Sequence, residues 1–66
     1  MENDALHYAI LDKIQLLTMV PYSLAHIGRL EAQGLFPKRV HLGPSRVGWL
    51  YREVVAWVEE RAAERE

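Results

Sequence analysis

The chain has 66 residues, half of them hydrophobic and about a quarter charged, with a formal net charge of −1 and no cysteine. This balance is typical of one small globular domain, and the lack of cysteine excludes disulfides and thiolate zinc sites and favours the reducing cytoplasm. No apolar run reaches the roughly 18 residues of a membrane span, and the first four residues lack a signal peptide's basic start, so we expect a cytoplasmic binding module with no membrane contact.

The first predicted helix begins after Asp12, which has Gln15 three positions later, the spacing of a capping box. Most of its positions are apolar, so we expect it to be short and buried: Ile14, Leu16, Leu17, Met19 and Val20. Pro21 ends it, because the residue before a proline avoids the helical region. Upstream, the alternation of Leu6, Tyr8 and Ile10 is that of a short strand.

A second helix is predicted between Ser23, a favourable N-cap, and Gly34, which supplies the left-handed residue that commonly follows a helix. Leu24, Ile27 and Leu30 recur every three residues and are expected to form its inward stripe. Residues 12–33 therefore predict a helix-turn-helix.

Residues 38–50 predict a β-hairpin around a turn at residues 43–46. A four-residue turn would place Leu42 opposite Val47 and Val40 opposite Trp49, so that these four apolar side chains share one face. In that register Arg39 and His41 lie on the other face, opposite Leu50 and Gly48.

A third helix is predicted over residues 52–64, with residues 62–66 frayed. One side carries Val54, Trp57, Val58 and Arg61, and another carries Glu53, Glu60 and Glu64. Phe36, Trp49 and Trp57 lie on apolar faces and are expected to pack in the core rather than form a stacking platform. The fold class is therefore mainly α with a small β-hairpin, a single winged helix-turn-helix domain over residues 1–66.

Charge is unevenly distributed along the chain. Residues 1–22 carry −2, residues 23–52 carry +4, and residues 53–66 carry −3. The basic middle segment has five cations against Glu31, namely Arg29, Lys38, Arg39, Arg46 and Arg52. A basic segment between acidic ends favours a polyanionic partner, although clustering of ordinary surface charge would give the same pattern.

Several motifs in residues 10–61 resemble the AlpA family of small prophage regulators, within the MerR-like excisionase group. They are Ser23-x-x-x-Ile27-x-Arg29-Leu30, Gly34-x-Phe36-Pro37-Lys38, Val40-x-Leu42-Gly43-Pro44-x-x-Val47-Gly48-Trp49 and Glu53-Val54-x-Ala56-Trp57-Val58. The resemblance implies a transcriptional regulator, or an excisionase that bends an attachment site for an integrase. Double-stranded DNA is then the expected partner.

In a winged helix-turn-helix the second helix enters the major groove. Its outward arc here is predicted to carry Ala25, Gly28, Arg29 and Ala32, flanked by Ser23 and His26. Arg29 is the leading candidate for a base or phosphate contact. Ser23 serves either as N-cap or as phosphate contact, and His26 either fills space or contacts phosphate.

The wing contributes the other candidate DNA contacts, on the backbone or in the minor groove: Lys38, Arg39, His41, Ser45 and Arg46. Arg46 is placed at the tip of the wing, where a long cation reaches a phosphate. For Ser45, phosphate contact and turn stabilisation are equally compatible with the sequence.

The sequence also bears on two other classes of function. Leu24, Ala25 and Gly28 leave the reading helix with few hydrogen-bonding groups, which favours a protein-interaction module as the alternative to DNA binding. Catalysis is not expected, because His7, His26 and His41 lack metal-ligand spacing and the chain has no glycine-rich phosphate loop. No cofactor or metal is predicted. The sequence leaves open a weak homodimer or an array on DNA.

Overall fold

The computed structural model describes residues 9–65, which form three helices and a small antiparallel sheet. In chain order the elements are β1 (Ile10–Leu11), α1 (Lys13–Met19), α2 (Leu24–Ala32), β2 (Val40–Gly43), β3 (Arg46–Leu50) and α3 (Tyr51–Glu64). The predicted fold class, mainly α with a small β wing, is confirmed, and the order of elements is that of a winged helix-turn-helix. Leu6 and Tyr8 of the predicted first strand lie outside the described residues.

Helix α1 begins with the predicted capping box. The Asp12 side chain accepts the backbone N–H of Gln15 at 2.8 Å, and the Gln15 side chain accepts the backbone N–H of Asp12 at 2.9 Å. The expectation that α1 is buried on most sides is wrong, since Ile14 is 78% exposed. Leu16 is fully buried, and Ile14, two positions earlier, lies about 200° away around the helix axis. Ile14 therefore points to the solvent side of α1.

Helix α2 begins and ends where the sequence predicts. The Ser23 hydroxyl oxygen accepts the backbone N–H of His26 at 3.1 Å. At the other end Gly34 has φ 74°, its N–H donates to the carbonyl of Glu31, and the N–H of Leu35 donates to the carbonyl of Leu30. This pair of bonds is a Schellman motif, which satisfies carbonyls left free at the helix end.

The sheet has the strand order β1-β3-β2, so β3 is central and β1 adds a third strand to the predicted hairpin. The predicted hairpin register holds at the turn, where Gly43 lies opposite Arg46. Beyond the turn it is wrong, because Val40 lies opposite Gly48 and His41 opposite Val47. The cause is a β-bulge between His41 and Gly43, which inserts one residue into β2.

The bulge exchanges the two faces of β2, since a shift of one residue turns every side chain to the other side of a sheet. Arg39, expected to face away from Trp49, instead lies with its guanidinium carbon 5.1 Å from the centre of the Trp49 ring. Leu42, expected in the apolar face, is half exposed and lies on the Gly48 side.

Six side chains form the buried core: Leu16, Val20, Ile27, Phe36, Trp49 and Val54. The core placement predicted for Phe36 and Trp49 is confirmed, whereas Trp57 is half-buried at the margin, with its ring 4.8 Å from that of Phe36. Helix α3 starts one residue before its predicted position, and residues 62–64, predicted to fray, are helical. Val54 packs α3 against the core. The glutamates of α3 are exposed, namely Glu53, Glu59, Glu60 and Glu64.

Candidate nucleic-acid interface

The outer face of α2 is formed by Ala25, Arg29 and Ala32, which are all exposed. Their exposure follows from the burial of Ile27 and Glu31, because a turn of 3.6 residues places these three positions on the opposite side of the helix. Arg29, near the C-terminus of α2, is the one exposed side chain of this fully described helix that can donate hydrogen bonds. The rest of this outer face consists of the methyl groups of Ala25 and Ala32.

The two other predicted residues near α2 have local partners. Ser23 caps the helix, as described above. His26 is half-buried and meets the Tyr22 ring edge-on, with ring centres 4.5 Å apart. It is two positions from Gly28, so the two residues lie on opposite flanks of α2.

A shallow cleft of about 340 Å³ separates the other flank of α2 from the start of β2, and we refer to it as the α2–wing cleft. It is lined by Gly28, Glu31, Ala32, Lys38, Arg39 and His41. Three of the predicted site residues, Lys38, Arg39 and His41, are thus brought together beside the proposed reading helix. Ser45 and Arg46 lie at the opposite end of the β2–β3 hairpin, where both are exposed.

Glu31 forms the inner wall of the cleft and was not predicted as a functional residue. Its residue exposure is only 8%, and its two carboxylate oxygens have different partners. Oε1 accepts Nε–H of Arg39 at 2.9 Å, and Oε2 accepts the indole N–H of Trp49 at 2.9 Å. The signal was present in the sequence, because Glu31 lies four positions after Ile27 on the inward stripe, where an acidic residue needs buried partners.

The hairpin turn places Ser45 in the left-handed region, with φ 60°. This conformation has a steric cost for a non-glycine residue, so the turn before Arg46 is not one that the backbone of Ser45 favours by itself. Of the two roles predicted for Ser45, the structure therefore describes the one in the turn, as a residue with left-handed backbone.

A second groove, of about 520 Å³, lies on a different surface, between α3 and the loop that follows α2. Trp57 donates its indole N–H to the carbonyl of Leu35 at 2.8 Å, and the guanidinium carbon of Arg61 lies 4.2 Å from the centre of the Trp57 ring. Glu53 and Glu60 line the same groove beside Lys38 and Arg61. The groove thus carries charges of both signs, and Lys38 lines both this groove and the α2–wing cleft.

Within residues 9–65 no group of three histidine, aspartate or glutamate side chains is arranged to hold a metal ion. In the same part of the chain no helix has the length and apolar character needed to cross a membrane.

A comparison of the chain with protein-family models identifies one matching family. The model described as "Prophage CP4-57 regulatory protein (AlpA)" matches residues 10–62, from β1 almost to the end of α3. A comparison with curated proteins gives no match. The matched segment includes α2, the wing and the α2–wing cleft, and it accounts for most of the chain. The chain therefore belongs to the AlpA family of prophage regulatory proteins.

Proposed function

We propose that this protein is a prophage-type regulator that binds double-stranded DNA as a single winged helix-turn-helix domain. Helix α2 enters the major groove, and the β2–β3 hairpin contacts the backbone or the minor groove. The AlpA family is a prophage regulatory and DNA-binding family, and membership in it supports this mode of action.

The observation that carries the proposal is the segregation of charge in the fold. Exposed cations lie on α2 and around the wing, at Arg29, Lys38 and Arg46, and the one carboxylate among them, Glu31, is bonded to Arg39. The exposed carboxylates of α3 lie on a separate element, and of these Glu53 and Glu60 border the groove that Lys38 also lines. A surface with one sign of charge attracts phosphates and steers the approach of DNA.

The outer face of α2 supports a limited mode of base reading. Arg29 has the planar fork that suits guanine or phosphate, while the methyl groups of Ala25 and Ala32 suit apolar contact with thymine. Because one arginine supplies few base contacts, we expect the shape and deformability of the DNA to contribute much of the specificity.

The decisive experiment measures duplex affinity by fluorescence anisotropy between about 50 and 200 mM salt. The double variant Arg29→Ala/Arg46→Ala is compared with Lys13→Ala/Arg65→Ala, which removes the same charge from α1 and the end of α3. We expect the first variant to lower the salt slope by about 1.8, at about 0.9 per lost phosphate contact, and the second to leave it unchanged. Equal effects of the two variants would refute the assignment.

An excisionase would in addition bend the DNA and act with an integrase. A monomer of this size makes few phosphate contacts, so we propose that such a role uses a weak homodimer or an array of copies along the site. A gel assay with circularly permuted binding sites measures the bend. A bend that appears only when two or more copies occupy the site would support the excisionase role. A straight DNA at saturation would support a regulator that does not bend its site.

The alternative is a protein-interaction module on the same fold. The observation that favours it is the scarcity of hydrogen-bonding groups on α2, together with the half-exposed Leu35 beside the groove of Trp57. No duplex binding at 50 mM salt, with a stoichiometric protein partner that survives nuclease treatment, would favour this function over DNA binding.

A further inference from the structure

Gly28 occupies a position where packing does not call for glycine. It lies in the middle of α2, where glycine lowers helix stability relative to alanine. A Cβ added there would lie 3.9 Å from Nη2 of Arg39, which is an ordinary van der Waals distance. The missing side chain therefore serves no close packing contact, and its effect is to leave space beside the guanidinium of Arg39.

The guanidinium of Arg39 is held along one edge. Its Nε–H donates to Glu31, and its plane lies near the Trp49 ring. An arginine has five N–H donors, so after the bond from Nε the terminal nitrogens keep donors for a second acceptor. Nη2 is the atom closest to Gly28, which places these donors on the side of the α2–wing cleft.

The charges around the cleft suit an anion. Both oxygens of Glu31 are engaged, one by Arg39 and one by Trp49, so Arg39 balances the charge of Glu31. Among the residues that line the cleft, Lys38 then gives a net positive charge, while Glu53 and Glu60 lie on the other side of Lys38, in the groove of Trp57. The exposed His41 adds a further polar group to the lining. Fixed arginine donors beside a mobile lysine are a common way to bind phosphate.

We propose that the α2–wing cleft binds one phosphate of the DNA backbone, which Arg39 and Lys38 contact directly. Glu31 is the positioning residue that holds Arg39 for this contact, and Gly28 admits the phosphate beside the helix. The inference rests on the proposed DNA binding and specifies one of its contacts. A helix in the major groove has a phosphate strand along each side, and the cleft lies on the side of α2 nearest the wing.

Gly28→Ala separates this role from folding, because stability and binding are expected to change in opposite directions. The methyl group favours the helix and raises the melting temperature, but it also fills the space beside Arg39. We expect the duplex dissociation constant to rise about tenfold, the equivalent of one charge-assisted hydrogen bond. Gly43→Ala adds the same methyl group in the β2–β3 hairpin, outside the cleft and with no atom within 4 Å. A loss of affinity in Gly28→Ala that exceeds the loss in Gly43→Ala is therefore assigned to the cleft.

The positioning role of Glu31 is tested by a double-mutant cycle. Glu31→Gln is expected to weaken duplex binding several-fold when Arg39 is present and to have no further effect in an Arg39→Ala background. Arg39→Ala is expected to lower the salt slope by about 0.9, whereas Arg65→Ala, which removes one charge from the end of α3, leaves it unchanged. Additive effects of Glu31→Gln and Arg39→Ala would overturn the positioning role.

The source of the phosphate is tested by NMR of the Arg39 Nε–H resonance. Addition of a DNA duplex to the full chain is expected to shift this resonance, and inorganic phosphate at the same ionic strength is expected to shift it much less. A shift with inorganic phosphate but none with the duplex would overturn the DNA assignment.

Two outcomes separate failure of the cleft from failure of the proposed function. If the wild-type protein binds duplex and the variants Gly28→Ala and Arg39→Ala bind it with the same affinity and salt slope, the phosphate cleft alone is refuted. If the wild-type protein binds no duplex at 50 mM salt, the proposed function fails with it.

Discussion

The carboxylate of Glu31 in α2 accepts the indole N–H of the fully buried Trp49 in β3 over 2.9 Å. The same carboxylate bonds Arg39, just before β2. One acidic side chain therefore links the proposed reading helix to β3 and to the residue just before β2. These two bonds tie α2 to the wing, and the orientation of the second helix relative to the wing determines how a winged helix-turn-helix meets DNA.

Trp49→Phe is expected to destabilise the protein by about 1–3 kcal/mol, because it leaves Oε2 of Glu31 buried without a donor and removes ring volume from the core. Urea denaturation followed by circular dichroism measures the change. Trp57→Phe is the matched control, since it removes an indole bond to the carbonyl of Leu35 at an exposed site. A smaller loss for Trp49→Phe than for Trp57→Phe would contradict the central role of Glu31.

The glycines Gly48 and Gly28 are expected to respond to alanine with opposite signs. A Cβ at Gly48 would collide with the Ile10 side chain and lie 3.1 Å from the backbone oxygen of Leu11, so it disturbs the pairing of β1 with β3. We expect Gly48→Ala to cost about 1–3 kcal/mol. Gly28→Ala has no such obstacle and is expected to add up to about 1 kcal/mol. The melting temperatures of the two variants show the sign of each change. A higher melting temperature for Gly48→Ala would show that β1 moves aside without loss of stability.

Ser23→Asp separates helix capping from DNA contact. Aspartate caps a helix about as well as serine, so the unfolding free energy should stay within about 0.5 kcal/mol of wild type. If the Ser23 side chain lies near a phosphate, the added negative charge lowers duplex affinity several-fold at low salt. Ser23→Asn caps without charge and controls for side-chain size. Equal duplex affinities of the two variants would assign Ser23 to capping alone.

The wing turn is expected to tolerate Ser45→Gly and to resist Ser45→Val. Ser45 has a positive φ, which glycine adopts without cost and which a β-branched residue adopts poorly. Glycine should leave stability unchanged or slightly raised, while valine should lower it by at least about 1 kcal/mol. Chemical denaturation of both variants checks this order, and equal stabilities would show that the turn changes its conformation to suit the residue.

Duplex binding by Ser45→Gly tests the hydroxyl directly. The hydroxyl group is removed while the turn is preserved, so any loss of affinity reports a contact made by that group. If affinity and salt slope are those of the wild type, Ser45 serves the turn and not the DNA.

Local features could be read from the sequence because each depends on residues three or four positions apart. The capping box of Asp12 and Gln15, the Ser23 cap and the left-handed Gly34 are confirmed in the structure. The buried Ile27 stripe follows from the period of the helix in the same way. With the order of elements, these features sufficed to predict the fold class.

The hairpin register and the partner of Arg39 depended on the tertiary structure. The bulge shifts the register of β2 by one residue, and β1 pairs with β3 from a segment about forty residues away along the chain. Gly48 lies where these contacts meet, because a Cβ there would reach Ile10, Leu11 and Leu42. Because a strand has a period of two, that one inserted residue turned Arg39 toward Trp49 and Glu31. The sequence by itself determined the helices, their caps and the basic middle segment, since these are set by neighbouring residues. Only the packing of α2 against the sheet decided which cations meet in a cleft, because that depends on contacts with no local signature.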